Sequence, residues 1–226
     1  VVYLIFNEGY SATSGEDWIR PSLCEEALRL GRIIAELVPQ EAEVHGLVAL
    51  MEIQASRLKA RTGPKGEPIL LLDQNRARWD RVLIGRGLAA LARAARLGQP
   101  PGPYRLQAEI AACHARAAAA EATEWPRIAA LYDVLALTAP SPVVELNRAV
   151  AHGMAHGPAA GLALVEPLAD EPAMQGYHLF NSVRGDFLAK LGRKAEARAE
   201  FERAAGMTAN TRERALLLER AAAAAK

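Results

Sequence analysis

YHLFNSVRGDFLAKLGRKAEARAEFERAAGM, residues 177–207, decides the fold. Gly185, Gly192, Ala197, Phe201 and Ala204 fall at offsets of 7, 12, 16 and 19 from the first of them. Gly185 and Ala197 let two helix backbones approach closely, Phe201 fills the gap between them, and Ala204 lets the next helix pack on. The stretch therefore predicts an antiparallel helix pair built to be stacked upon.

That spacing resembles the small-residue and aromatic positions of the tetratricopeptide repeat, a helix pair of about 34 residues. The match is partial: Asn181 stands where the repeat usually has Trp, Arg184 where it has Leu and Ala209 where it has Pro. Gly157 and Gly192 are 35 residues apart and Tyr132 precedes Phe201 by 69, close to one and two repeat lengths. The expected fold class is all-α. Antiparallel helix pairs stack as a tetratricopeptide-like solenoid, and a non-repeat helical unit precedes them.

Composition agrees. Half of the 226 residues are hydrophobic and few are aromatic, which suits packed helices rather than sheets. A chain of this length needs no staples to hold its core. The two cysteines, Cys24 and Cys113, each lie in an apolar helical pattern and read as buried thiols rather than a disulfide. With no signal peptide and no uncharged apolar run long enough to span a bilayer, the expected location is cytoplasmic, away from membranes. The net charge of +1 hides an asymmetry: residues 1–52 carry 3 basic and 9 acidic side chains, and residues 53–120 carry 12 and 4. A neutral total argues against a dedicated nucleic-acid-binding domain. The basic middle can face an acidic partner or the acidic first segment.

Taken in order, residues 1–6 are apolar from the start, which reads as a fragment of a longer chain or the tail of a helix begun upstream. Gly9 is read as the end of that helix and residues 11–17 as a loop. Ser22-x-x-Glu25 reads as a capping box opening a helix up to Pro39, followed by a second helix over about 40–61. The Gly/Pro-rich segment 62–68 is a break, and 69–72 a short extended strap. Asp73 reads as the N-cap of a helix reaching Gly98. Gln99-Pro-Pro-Gly-Pro103 divides the chain into a unit at 1–98 and helix pairs at 103–226. Helices follow over 105–120, to Leu137, from Ser141-Pro142 and from Gly157-Pro158, with Asn210-x-x-Glu213 opening a capping helix.

Few residues advertise chemistry. His152 and His156 lie at i and i+4 but end a helix at Gly157, and no carboxylate follows in the pattern of a metalloprotease. Cys113 and His114 point about 100° apart on a helix, which disfavours a nucleophile–base pair. Neither a catalytic group, a metal nor a cofactor is expected. Polar and aromatic residues stand out instead in three clusters: Asn7, Glu8 and Tyr10; Arg57 and Arg61; and Asp73, Gln74, Arg76, Trp79 and Asp80. Read together, they form a network in which Glu8 and Asp73 pair with Arg57, Arg61 and Arg76, fixing the N-terminal unit or lining a small polar pocket.

YLIFNEGY at 3–10, LCEEALRLGRIIAELVPQEAEVHGLVALM at 23–51, DQNRARWD at 73–80, GPYRLQAEIAACHA at 102–115, TEWPRIAALYDVL at 123–135 and SPVVELNRAVA at 141–151 follow one another in a fixed order. In this order they resemble the C-terminal extension of a group of bacterial extracytoplasmic-function RNA polymerase sigma factors, with Asn75 and Glu109 as departures. The resemblance implies a tetratricopeptide-like regulatory domain that follows sigma regions two and four, neither of which is visible in these 226 residues. It implies contacts with those upstream regions, with core RNA polymerase or with a small regulatory protein, and contact with promoter DNA only through the missing regions. A small-ligand-sensing domain and a free-standing tetratricopeptide-like adaptor are the alternatives.

Overall fold

The computed structural model describes residues 1–14 and 18–225, so the end of the loop expected over 11–17 lies outside the described residues. Among them are eleven α-helices and no sheet, and the helices pack mostly as adjacent antiparallel pairs. Two compact units divide the chain between Glu124 and Trp125.

The first unit holds α1 (Val2–Tyr10), α2 (Pro21–Leu37), α3 (Ala42–Ala55), α4 (Arg81–Arg96) and α5 (Pro103–Arg116). α3 is its axle. It buries ten of its residues, His45 and Glu52 included, and takes α4 and α5 as its main neighbours. Close approach is what makes this possible. A Cβ on Gly46 would come within 2.7 Å of the Arg105 backbone nitrogen in α5, and one on Gly87 within 2.6 Å of Ile53 Cγ1. α5 therefore belongs with α3, and the Gln99–Pro103 segment, expected to separate the two halves, is a connection inside this unit. Gln99 itself fastens it, accepting from the Ala42 amide and donating to the Gln40 carbonyl.

Several local expectations are corrected. Gly9 lies inside α1, where a Cβ would meet the Cys24 nitrogen at 2.8 Å; its absence seats α1 on α2. α2 begins at Pro21 with no side-chain cap, so Ser22 and Glu25 form no capping box; proline's fixed φ serves the first helical position instead. α3 stops at Ala55, and a 3-10 turn at Leu58–Ala60 replaces its expected last turn. The largest departure is at residues 73–80. Asp73 caps nothing: the segment runs through 3-10 turns at Leu71–Asp73 and Arg76–Arg78, and Asp80 caps α4 by accepting from the Val82 and Leu83 amides.

The second unit holds α6 (Trp125–Thr138), α7 (Pro142–His156), α8 (Pro158–Val165), α9 (His178–Lys190), α10 (Lys194–Met207) and α11 (Thr211–Ala224), each packed against the next. Its core gathers Leu146, Leu162, Val165, Phe187, Phe201 and Leu217. Phe201 fills the notch at Gly185, where a Cβ would stand 3.0 Å from the ring, and Ala197 and Ala204 are fully buried. Gly192 turns the chain between α9 and α10 at φ +76°, a conformation side chains resist. Phe187 fills a second notch, against Gly153 and Gly161. Ser141 caps α7 by accepting from the Val144 amide, with Pro142 next to it. Asn210 caps α11 as expected, accepting from the Arg212 and Glu213 amides, and Glu213 accepts from the Thr208 hydroxyl and pairs with His178.

The residues at odds with the repeat pattern are also accounted for. Arg184 donates to Glu200, a nearly buried carboxylate, and to Glu166, and Asn181 donates to the Met207 sulfur.

Candidate functional site

The polar clusters of the first unit converge, though on other partners than expected. After α3 the chain turns at Ser56, whose carbonyl accepts from the Asp80 amide, so that Arg57 and Trp79 meet. Arg57 is 8% exposed and Trp79 3%. The Arg57 guanidinium carbon lies 5.6 Å from the Tyr10 ring centroid and 5.9 Å from that of Trp79. Arg61 lies over the same Tyr10 ring at 3.8 Å and 5.4 Å from Trp18, and Arg76 stacks on Trp79 at 4.8 Å. Three arginines thus interleave with three aromatic rings.

Glu8 and Asp73 do not neutralise them. Glu8 accepts from Thr13 and pairs with Arg20 at 2.8 Å. Asp73 is exposed, and Asn7 lies on an outward side of α1. Among the described residues no ion pair reaches Arg57, Arg61 or Arg76, so the expected acid–base network is replaced by cation–π stacking. Such stacking contributes about 0.5–2 kcal/mol per contact, against a cost of several kcal/mol for an uncompensated buried charge.

Each arginine uses its remaining donors differently. Arg76 reaches the carbonyls of His114 and Ala117 and the Thr123 hydroxyl, tying the loop at 73–80 to the end of α5. Gln74 donates to the Ile69 carbonyl at 3.2 Å. Arg57 Nε, Arg61 Nε, Arg76 Nε, Trp79 Nε1 and Gln74 Oε1 are nonetheless buried without a hydrogen-bond partner. Burial, opposed by the Tyr10 phenol, lowers the Arg61 pKa, and burial together with the Arg57 charge lowers that of Arg76.

His114, which sequence reasoning left as a structural residue, belongs to this site. Burial first, then the charges of Arg57 and Arg76, push its pKa down to about 3, so its ring is neutral at physiological pH. Burial among rings similarly raises Tyr3 to about 12.

Beside the arginines, a cavity of about 750 Å³ opens between α2, the end of α3 and the start of α4, lined among others by Cys24, Ser56, Lys59, Arg78 and Asp80. Cys24 is a poor nucleophile there, its thiol held up at about 11 by burial. Further along, α4 turns Ile84, Gly87, Leu91 and Ala94 inward and exposes Arg86, Arg93 and Arg96. At about 100° per residue these three arginines lie within roughly an 80° arc. Among the described residues no carboxylate pairs with them.

The histidine pair of the second unit resolves as a helix-end feature. His152 shares Asp133 with Arg148 at 2.9 Å, and its ring stands 5.5 Å from that of His156. Among the described residues no group of three or more His, Cys, Asp or Glu side chains is placed to hold a metal ion. No described helix is long and apolar enough to cross a membrane.

These features define an all-helical domain with a buried arginine–aromatic centre in its first unit. Residues 1–95 match a family described as a family of unknown function (DUF6596). Over 217 residues the chain is homologous, at 46% identity, to "Uncharacterized protein R00370" of Rhizobium meliloti (strain 1021). The alignment covers 96% of this chain and 51% of that protein, so the chain spans about half the length of the relative it matches. No solved structure matches.

Proposed function

We propose that this chain is a regulatory protein-interaction domain, the tetratricopeptide-like C-terminal extension of a bacterial extracytoplasmic-function sigma factor. The observation that carries the reading is the packing of the second unit. Phe201 sits in the notch at Gly185, with Ala197 and Ala204 buried around it, as the repeat spacing requires. Helices that each pack on the next support reading the unit as a short solenoid, an architecture suited to presenting an extended surface to another protein. Exposed apolar side chains, among them Leu137, Val143 and Leu218, give that surface something to bury.

The length of the Rhizobium relative is in keeping with this, since about half of it remains for promoter-binding and polymerase-binding regions. The contact face on the first unit is the arginine stripe of α4, which suits an acidic surface on those regions, on core polymerase or on a small regulatory protein. Replacing Arg86, Arg93 and Arg96 together with Glu is the test. The affinity for whichever of these partners binds is expected to fall at least about tenfold and to lose most of its salt dependence. Unchanged affinity would remove this face from the proposal.

A small-ligand-sensing role is the second reading, favoured by the cavity of about 750 Å³ at the start of α4. Filling it with Ser56→Leu should leave partner binding intact if the cavity is merely a packing defect, and alter ligand-dependent binding if it senses.

A further inference from the structure

We propose that Arg57, Arg61 and Trp79 form a binding site for a small phosphate-type oxyanion inside the first unit. Arg57 and Trp79 are each more than nine-tenths buried, and Arg57 Nε, Arg61 Nε and Trp79 Nε1 have no hydrogen-bond partner. Every one of these groups is a donor, and two of the three side chains are cations. Arg57 and Arg61 are gathered over one face-sharing ring, with guanidinium carbons 5.6 and 3.8 Å from the Tyr10 centroid. Trp18, stacked against Arg61, brings another buried and unpartnered N–H.

Among the described residues neither arginine is held by an ion pair, and beyond ring stacking only the Tyr10 phenol engages Arg61. Arg76 is spent elsewhere: its terminal nitrogens bond the His114 and Ala117 carbonyls and the Thr123 hydroxyl, so it adds positive charge to the site but no free fork. Glu8, the acid expected to neutralise the group, is engaged by Arg20 and Thr13. A guanidinium presents its N–H groups in a plane that matches the oxygens of a phosphate, and two of them with indole N–H groups offer more donors than a single carboxylate accepts. The burial of Arg57 selects against an acidic side chain carried on the surface of another protein and for a compact anion. The inference does not depend on the sigma-factor reading.

The test is calorimetric titration and thermal unfolding of the 226-residue chain with inorganic phosphate, in a phosphate-free buffer against chloride at matched ionic strength. Saturable binding of one phosphate per chain and a rise in Tm of about 5 °C at saturation are expected. Arg57→Met should weaken binding at least about tenfold while raising the Tm of the phosphate-free protein, because it removes one of three crowded buried charges. Trp79→Phe keeps an aromatic face in place and removes the indole N–H together with the five-membered ring, so a loss of about fivefold is expected even if Arg57→Met fails to fold. Arg198→Gln, exposed on α10 and paired with Glu202, should bind phosphate as the unaltered chain does.

Glycerol 3-phosphate distinguishes the source. Tighter binding than inorganic phosphate assigns a phosphorylated metabolite, and equal binding assigns the free ion; either upholds the site. The absence of saturable heat overturns it. So does an equal Tm rise in Arg57→Met and Trp79→Phe, since phosphate stabilises folded proteins generally by exclusion from their surfaces.

Discussion

His114 carries the clearest consequence at the scale of a single residue. Its pKa is held down to about 3 in the folded chain, against 6.5 for the free side chain, by burial and by Arg57 and Arg76. A depressed histidine binds its proton in the unfolded state first, so the stability present above pH 6.5 is lost as pH falls toward 3. Between pH 7 and pH 5 this one group is expected to cost about 2 kcal/mol. Urea unfolding of the unaltered chain and of His114→Gln at both pH values checks it: the variant should lose about 2 kcal/mol less over that interval. Equal losses would place the acid sensitivity elsewhere. Sequence reasoning found the arginines but gave them the wrong counter-charges. Arg57 and Arg61 were placed on one continuous helix, whereas α3 ends at Ala55 and the turn at Ser56 swings them under Tyr10. Nothing local in the sequence marks His114 as their neighbour, because the Arg57 charge that acts on it comes from a segment far away in the chain.

Between elements, glycine decides which helices touch. Gly46→Ala would press a methyl group into the backbone of α5, and Gly161→Ala would press one into the Phe187 ring, with a Cβ 2.3 Å from its Cζ. Each is expected to cost about 1–3 kcal/mol in denaturant unfolding, the first more certainly since backbone cannot swing aside. Gly85 on α4 has nothing within 4 Å of an added Cβ, so Gly85→Ala should stabilise by about 0.5–1 kcal/mol through helix propensity alone. A destabilised Gly85→Ala would show that this exposed face is already covered. Helix ends were legible where a local signal decides them, as at Ser141-Pro142 and Asn210. They were misread where tertiary contacts override it. At 73–80 a good helical pattern gives way to 3-10 turns because Arg76 is drawn to the carbonyls ending α5 and Trp79 to Arg57 and Arg76. Asp80, a member of the expected polar cluster, is the cap.

For the whole molecule, the division between Glu124 and Trp125 gives each unit its own core. A fragment of residues 125–226 is expected to fold alone and to melt cooperatively as a helical protein by circular dichroism; a featureless, non-cooperative melt would show that its core is incomplete. The all-α class and the antiparallel pairing of adjacent helices were visible from five small and aromatic residues, because that spacing states a packing geometry directly. The boundary was not, since the proline-rich stretch at 99–103 looks like a linker and only the close approach of Gly46 to Arg105 reveals that α5 returns to α3. The proposed role concerns what these surfaces hold, and binding in trans tests it most directly. The chain would be immobilised and offered core RNA polymerase and the separately expressed promoter-binding regions of a full-length homologue at low and moderate salt. Retention of at least one of them, weakened by salt and by glutamate at Arg86, Arg93 and Arg96, is the expected result; retention of neither at any salt concentration would contradict the account.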